Sequence, residues 1–193
     1  MHRKFAAVLI AASILVVMWG FGFASVQRPT NQAIRTETAT FAGGCFWSLE
    51  AAFRQLSGVT DTVVGYTGGS TRDPTYEAVS SRRADHLEAC RVTFDPTRIS
   101  YERLVEYFLQ IHSPPATDRK GPYVGSPARL VIFFTDGEQE RVAQAIKQRL
   151  KPPEPGRRGP IVDILPEGEF YRAEEYHQRY LEKHGLATCH IGP

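Results

Sequence analysis

The chain's clearest candidate for chemistry is Cys45, in the stretch GGCFW at residues 43–47. A predicted strand ends just before the two glycines, and apolar residues at helical spacing follow the cysteine. The sulfur would then lie near unpaired backbone N–H groups and the positive end of a helix dipole, and both favour the thiolate. This arrangement is typical of a nucleophile. The local residues alone leave three alternatives open: a buried structural cysteine, a metal ligand or half of a disulfide.

Two further cysteines, Cys90 and Cys189, make the number of thiols odd. A purely structural disulfide framework uses an even number, and a domain of this size does not need disulfides for stability. At least one thiol therefore lies outside any such framework.

The elements that would position Cys45 follow from the spacing of apolar residues, which alternate along strands and recur every three or four residues in helices. Alternation over residues 86–95 places Glu88 on the same strand face as Cys90, Val92 and Phe94. The predicted strands span residues 38–42, 62–66, 86–95, 130–134 and 161–165, and the predicted helices span residues 47–56, 100–111, 137–150 and 173–183, with a short helical turn at 76–79.

Strands and helices are mixed along this order, and the sequence has no internal repeats. The pattern favours an α+β fold, a two-layer α/β sandwich in which a ferredoxin-like mixed sheet carries helices mainly on one face.

Residues 1–24 carry Arg3 and Lys4 ahead of a long apolar run without a carboxylate. This pattern predicts a signal peptide, cleaved before Ser25, or an N-terminal membrane anchor. Either would export the domain, so we expect a periplasmic protein, soluble or anchored to the inner membrane. Residues 25–37 are polar and aperiodic and are predicted to be a flexible lead-in.

The charge balance gives no indication of a nucleic-acid partner. The chain has 23 Lys and Arg against 21 Asp and Glu, and loss of Arg3 and Lys4 with residues 1–24 would bring the net charge to zero. The remaining residues fit one domain of ordinary size.

Several segments, in order, resemble the peptide methionine sulfoxide reductases of the A class. GGCFWSLEAAF is similar to the GCFW signature, and GYTGGSTRDPTYEAVSSRRADHLEACRVTFDP resembles the family's GYxGG…PTYxxV…HxEAVxVxYDP region. ISYERLVEYFLQIH, VIFF and FYRAEEYHQRYLEKHG also fall in order. The match implies a catalytic domain at residues 38–184 and a C-terminal tail at 185–193.

The resemblance implies thiol-dependent reduction of methionine (S)-S-oxide, free or in proteins, and so repair of oxidised exported proteins. Cys45 would attack the sulfoxide sulfur, release methionine and become a sulfenic acid. Phe46 and Trp47 match the aromatic residues that hold the substrate's methyl group.

The resemblance also implies an acid and an oxygen ligand. Glu88 matches the glutamate of HxEA and would be the general acid, since an apolar surrounding raises a carboxyl pKa and keeps its proton available. Tyr66 matches a tyrosine whose hydroxyl helps to bind the sulfoxide oxygen. His86, in the same motif as Glu88, is expected to be structural.

The chain departs from the family in the loop that reads approximately NRQGxDVGxQYRS. Tyr123 stands at the aspartate position and Ala128 at the tyrosine position, both in the family's substrate pocket. We expect the Tyr123 hydroxyl to replace part of what is lost at position 128. The same changes favour an alternative function, a catalytically impaired redox-sensing or oxidised-methionine-binding module on this fold.

Turnover would need a second thiol. By resemblance Cys189 is the resolving cysteine, closing a Cys45–Cys189 disulfide that an external thioredoxin-like dithiol reduces. Cys90 is expected in the core, no bound cofactor is expected, and the protein is expected to be a monomer. A metal site built from Cys45, His86, Cys189 and His190 would lack the short repeated spacing of zinc modules, and we expect none.

Overall fold

A computed structural model of the chain describes residues 35–112, 129–150 and 161–186. These residues belong to one compact unit, and no helix among them is long and apolar enough to cross a bilayer. Residues 1–24, most of the expected lead-in and Cys189 of the tail lie outside the described residues. The strands are β1 (Glu37–Ala42), β2 (Val59–Thr67), β3 (Leu87–Phe94), β4 (Arg129–Phe134), β5 (Ile161–Pro166) and β6 (Tyr171–Arg172). The helices are α1 (Phe46–Arg54), α2 (Tyr76–Ser80), α3 (Tyr101–His112), α4 (Gly137–Arg149) and α5 (Tyr180–Lys183).

The strands form one mixed sheet in the order β5-β4-β1-β3-β2-β6. Neighbouring strands are antiparallel except β4 and β5, which are parallel and joined through α4. The inner strands β4-β1-β3-β2, together with α1 and α3, form the βαββαβ arrangement of a ferredoxin-like fold. The predicted fold class is therefore confirmed.

One face of the sheet packs against α1, α3 and α4 to form the main core. Alternation along β3 sends Cys90, Val92 and Phe94 to this face, and all three are fully buried there. Glu88 shares their parity and therefore points to the helix side, at the end of the strand nearest the start of α1. The main core also contains Phe41 and Ile132 from the sheet, Leu49 and Phe53 from α1, Phe108 from α3 and Ile146 from α4.

The predicted helix at residues 173–183 is wrong over most of its length. Turns occupy residues 175–179, Arg179 has a left-handed φ of 52°, and only α5 is helical. The reason lies in Gln178, whose side-chain amide bonds the backbone N–H and C=O of Val64 on β2 and the C=O of Ala173. These contacts tie the segment to the sheet edge, where β6 pairs with Gly65 and Tyr66. A two-residue strand is too short to show an alternating pattern.

Candidate active site

Cys45 is the N-cap residue of α1 and has extended backbone angles. Its carbonyl accepts the N–H groups of Ser48 and Leu49, and its side chain makes no capping hydrogen bond. Gly44 has a φ of 70°, a left-handed conformation that lets the chain turn from β1 into α1 within three residues. The predicted strand–glycine–cysteine–helix arrangement is confirmed, and the partly exposed thiol lies at the N-terminus of α1, the positive end of the helix dipole.

Close packing fixes the turn before Cys45. A methyl group added to Gly43 would lie 2.8 Å from Leu130 Cδ2 and 3.1 Å from His112 Nε2. The Nε2 atom of His112 lies 3.1 Å from the Gly43 carbonyl oxygen, at the end of α3. A side chain at position 43 would therefore force the buried Leu130 side chain to shift.

Sheet register brings Glu88 to the same place. Phe41 pairs with Cys90 at the end of the antiparallel β1–β3 ladder, so the glycine turn after β1 lies beside Glu88, two residues before Cys90, and both line one cavity. The Phe46 N–H donates to Glu88 Oε2 at 3.2 Å, which ties the carboxyl to the residue next to Cys45. Burial raises the Glu88 pKa above its ordinary value, and the Phe46 N–H opposes this rise only in part.

A cavity of about 90 Å³ lies between this carboxyl and the glycine turn. Its volume corresponds to roughly three water molecules at about 30 Å³ each. A larger cavity of about 320 Å³ lies beside Trp47 and Glu50, but neither Cys45 nor Glu88 lines it. Cys45 lines neither cavity, but Glu88 lines the smaller one, which is therefore the better candidate for the oxygen that this carboxyl would protonate. The smaller cavity is lined by Ala42, Gly43, Gly44, Leu87, Glu88 and Arg129.

Aromatic rings surround the first turn of α1. Phe46 is almost fully buried, whereas Trp47 is partly exposed. The Trp47 indole lies parallel to the Tyr180 ring, with 3.8 Å between ring centres, and its Nε1–H donates to His177 Nδ1 at 3.0 Å. The Tyr76 ring lies 6.3 Å from Phe46 at an angle of 15°. These rings provide an apolar surface beside the thiol.

Comparison with known proteins shows the family of this chain. The family model for peptide methionine sulfoxide reductase matches residues 37–193. The chain belongs to the peptide methionine sulfoxide reductase family. Its enzyme class is that of a peptide-methionine (S)-S-oxide reductase, an oxidoreductase.

Similar sequences carry the same family name. Peptide methionine sulfoxide reductase MsrA of Acidobacterium capsulatum is 48% identical over 79% of this chain and 98% of its own length. MsrA of Methanosarcina mazei is also 48% identical, over 78% of this chain and 71% of its own.

Solved structures agree on the fold. Methionine sulfoxide reductase A of Corynebacterium diphtheriae superposes with a TM-score of 0.64 at 31% identity, covering 83% of this chain and 80% of that chain. Mxr1 of Saccharomyces cerevisiae in its reduced form gives a TM-score of 0.66 at 29% identity, covering 80% and 89% respectively.

In this methionine sulfoxide reductase, the contact of Tyr66 counts against the role expected for it. The side chain is fully buried, and its hydroxyl donates to Glu174 Oε2 at 2.7 Å. To bind a sulfoxide oxygen, the hydroxyl would have to break this bond. Tyr76 on α2 is less buried and stacks on Phe46, so it is better placed to face a ligand.

The remaining predicted residues fall into two groups. Tyr123 and Cys189 lie outside the described residues, as do Ala128 and His190, so their roles stay predictions. Within the described part, Cys90 is fully buried, and burial raises its thiol pKa well above the ordinary value. Cys45 and Cys90 do not form a disulfide with each other. His86 bonds the Gly69 N–H and the Thr71 carbonyl, contacts that fit the structural role expected of it.

Residues 35–112, 129–150 and 161–186 contain no cluster of three or more His, Cys, Asp or Glu side chains that could hold a metal ion.

The rings of Phe46, Trp47 and Tyr76 around the first turn of α1 form an aromatic wall, and sequence reasoning missed the residues that support it. Glu174, His177 and Tyr180 lie within residues 173–183, which were predicted as a helix. Their partners are far away in sequence, with 130 positions between His177 and Trp47. The family motif containing them was the only available signal, because no local pattern encodes such a contact.

Proposed function

We propose that the chain reduces methionine (S)-sulfoxide, free or within proteins, to methionine. The observation that carries this proposal is the placement of Cys45 and Glu88. The thiol is at the N-terminus of α1, and the carboxyl accepts the N–H of the next residue, Phe46.

The reaction follows from these two groups. The Cys45 thiolate attacks the sulfoxide sulfur while the Glu88 carboxyl gives its proton to the sulfoxide oxygen, and this one proton is all that the balance requires. The new bond between the two sulfur atoms and the S–O bond of the substrate then break as the hydroxyl passes to the Cys45 sulfur. Methionine leaves as the thioether, and Cys45 is left as a sulfenic acid. The sulfoxide gains two electrons and the cysteine loses two.

Regeneration needs two electrons from outside. The Cys189 thiol attacks the Cys45 sulfenic acid, water leaves, and an external dithiol of the thioredoxin type reduces the resulting disulfide. Mxr1 of Saccharomyces cerevisiae has been solved in both a reduced and an oxidised form, which supports redox-active cysteines on this fold. A Cys189→Ser variant should keep turnover with a small dithiol and lose it with a thioredoxin system.

The site of action follows from residues 1–24. Their charged start and apolar run support export, and the substrates would then be oxidised proteins outside the cytoplasm. Cell fractionation of the full chain tests this directly, because recovery only in the cytoplasmic fraction contradicts export.

A second candidate rests on the replacements Tyr123 and Ala128, which remove two polar groups of the family's substrate pocket. The chain would then bind oxidised methionine or sense oxidant through Cys45 without efficient turnover. Multiple turnovers with dithiothreitol exclude this alternative.

The stereochemistry of the substrate provides the functional test. The parent chain and its Cys45→Ser variant are given the separate S and R epimers of a methionine sulfoxide peptide with dithiothreitol. We expect the parent to reduce only the S epimer and Cys45→Ser to reduce neither. Reduction of the R epimer, or activity in Cys45→Ser, overturns the proposal.

A further inference from the structure

His177 lies at the centre of the aromatic wall but plays no part in the mechanism above. Its side chain is only 1% exposed. Its ring centre lies 4.4 Å from Tyr76, 5.1 Å from Phe46 and 5.4 Å from Trp47. The imidazole therefore contacts the residues expected to surround the substrate's methyl group.

The bond to Trp47 fixes the protonation state of His177. An indole N–H can only donate, so the Nδ1 atom that receives it must carry a lone pair. In the neutral ring the proton is therefore on Nε2. Burial lowers the pKa of His177, and the nearby Glu174 carboxylate offsets this only in part, so the neutral ring is favoured.

The Nε2–H group is poorly accommodated in the fold. Nε2 is buried and has no hydrogen-bond partner among the described residues, and Glu174 Oε2 is 3.9 Å away, beyond hydrogen-bond distance. A buried donor without an acceptor costs free energy, so core packing alone would favour an apolar side chain here. The imidazole supplies an acceptor for the Trp47 indole N–H, which an apolar side chain would not do.

The Trp47 indole is consequently held in two directions. Tyr180 covers one face at 3.8 Å, and His177 holds the nitrogen edge. Without the edge contact, the ring could slide over Tyr180 and rotate about its side-chain torsions. Both contacts come from the segment after β6, whereas Trp47 belongs to the first turn of α1.

We propose that His177 is a positioning residue that fixes the Trp47 indole in the group of aromatic rings against which the sulfoxide's methyl group would pack. This inference rests on the proposed function, since the wall matters only if a sulfoxide occupies the site. Because the effect is on the pocket and not on Cys45 or Glu88, loss of the acceptor raises KM by about 10-fold and changes kcat much less.

Asparagine and leucine give a matched pair of substitutions at position 177, since they have nearly the same shape. His177→Asn retains an acceptor close to the Nδ1 position, and His177→Leu removes it. The full chain has two tryptophans, Trp19 and Trp47, so a Trp19→Phe background makes Trp47 the sole tryptophan fluorophore. Acrylamide quenching then reports the exposure of the Trp47 indole, and steady-state kinetics on the S epimer report KM and kcat.

We expect His177→Leu to increase quenching of Trp47 and to raise KM, and His177→Asn to remain close to the parent in both. A purely structural role would lower the unfolding midpoint of the variants but leave quenching and KM of the folded protein unchanged. Parent-like quenching and KM in His177→Leu therefore overturn the inference.

Two further measurements keep the test decisive. If His177→Leu does not fold, His177→Gln replaces it, because its amide reaches towards the Nε2 position and not towards Nδ1, and the same changes are expected. In a Trp47→Phe background, substitution of His177 should raise KM no further. If it raises KM there as much as it does in the parent, the proposal is contradicted.

If the parent reduces no sulfoxide, the proposed function fails, whereas the fluorescence still decides whether His177 holds the indole.

Discussion

Burial gives Glu88 the property that proton donation requires. Its raised pKa means that the carboxyl keeps its proton to a higher pH than an exposed glutamate does. The family resemblance singled out Glu88 as the acid, and strand parity placed it as the polar residue on the face that carries Cys90, Val92 and Phe94. The structure adds the contact to the Phe46 N–H, which places the acid beside the thiol.

A Glu88→Gln variant tests the acid. The amide can still accept the Phe46 N–H but cannot donate a carboxyl proton, so kcat should fall by about 10²- to 10⁴-fold with little loss of stability. In the parent, the rate limited by this acid should decline as pH rises through the raised Glu88 pKa, because the protonated form is the active one. The matched control is Glu77→Gln on exposed α2, which should retain parent activity. Equal kcat in Glu88→Gln and parent contradicts the role.

The tyrosines show which contacts of the site the sequence does not indicate. The family motif singled out Tyr66, but nothing local to GYTGG indicates that its hydroxyl bonds Glu174, 108 positions away. The half-buried ring of Tyr76 was predicted only as part of a short helical turn.

Phenylalanine at either position should separate structure from binding. Tyr66→Phe leaves Glu174 without one donor, so we expect a loss of about 1 kcal/mol in the free energy of unfolding and near-parent kcat. Tyr76→Phe should lower kcat with less effect on stability. Urea unfolding together with kinetics on the S epimer distinguishes the two, and the opposite pattern would restore the original assignment to Tyr66.

At the scale of elements, the turn from β1 into α1 sets the position of the thiol. Strand, glycine pair and helix start could be predicted because their signals are local. The segment before α5 could not, because Gln178 bonds the edge of β2 and overrides the helical spacing of its residues.

Alanine at Gly43 should disturb this turn. Its methyl group would come within 2.8 Å of Leu130 Cδ2, so overpacking should lower the free energy of unfolding by about 1–3 kcal/mol and reduce activity. Gly137→Ala is the control, because nothing lies within 4 Å of its added methyl group and alanine favours the helix by up to about 1 kcal/mol. Similar stability changes in the two variants would show that the glycine turn is not tightly packed.

At the scale of the whole molecule, the sheet order assembles the site from distant parts of the chain. Strands β1 and β3 are adjacent and antiparallel, so the chain leaving β1 meets the start of β3 and brings Cys45 to Glu88. The ferredoxin-like order could be predicted from the alternation of strands and helices. The cover of aromatic rings over α1 depends on irregular segments and required the structure.

Two buried histidines should make the fold sensitive to acid. Burial lowers the pKa of His112 and His177, although the carbonyls of Phe108 and Gly43 and the Glu174 carboxylate oppose it. The unfolded chain therefore binds more protons just below the ordinary histidine pKa of about 6.5, and stability falls as pH decreases through that region. The raised pKa values of Glu50 and Glu88 act in the opposite direction at lower pH.

Urea unfolding at about pH 7.5 and about pH 5.5 measures this effect. The non-titrating variant His112→Gln should lose less stability between the two values than the parent. An equal or larger loss in the variant means that His112 does not contribute to the acid sensitivity.

The account depends most on Cys45 as the atom that receives the sulfoxide oxygen. A Cys189→Ser chain, reduced and freed of dithiol, is mixed with an excess of the S epimer and a reagent that traps sulfenic acids, and its peptides are analysed by mass spectrometry. We predict close to one methionine released per chain and the trapped adduct on Cys45. Methionine release without an adduct on Cys45, or release by a Cys45→Ser chain, would contradict the mechanism.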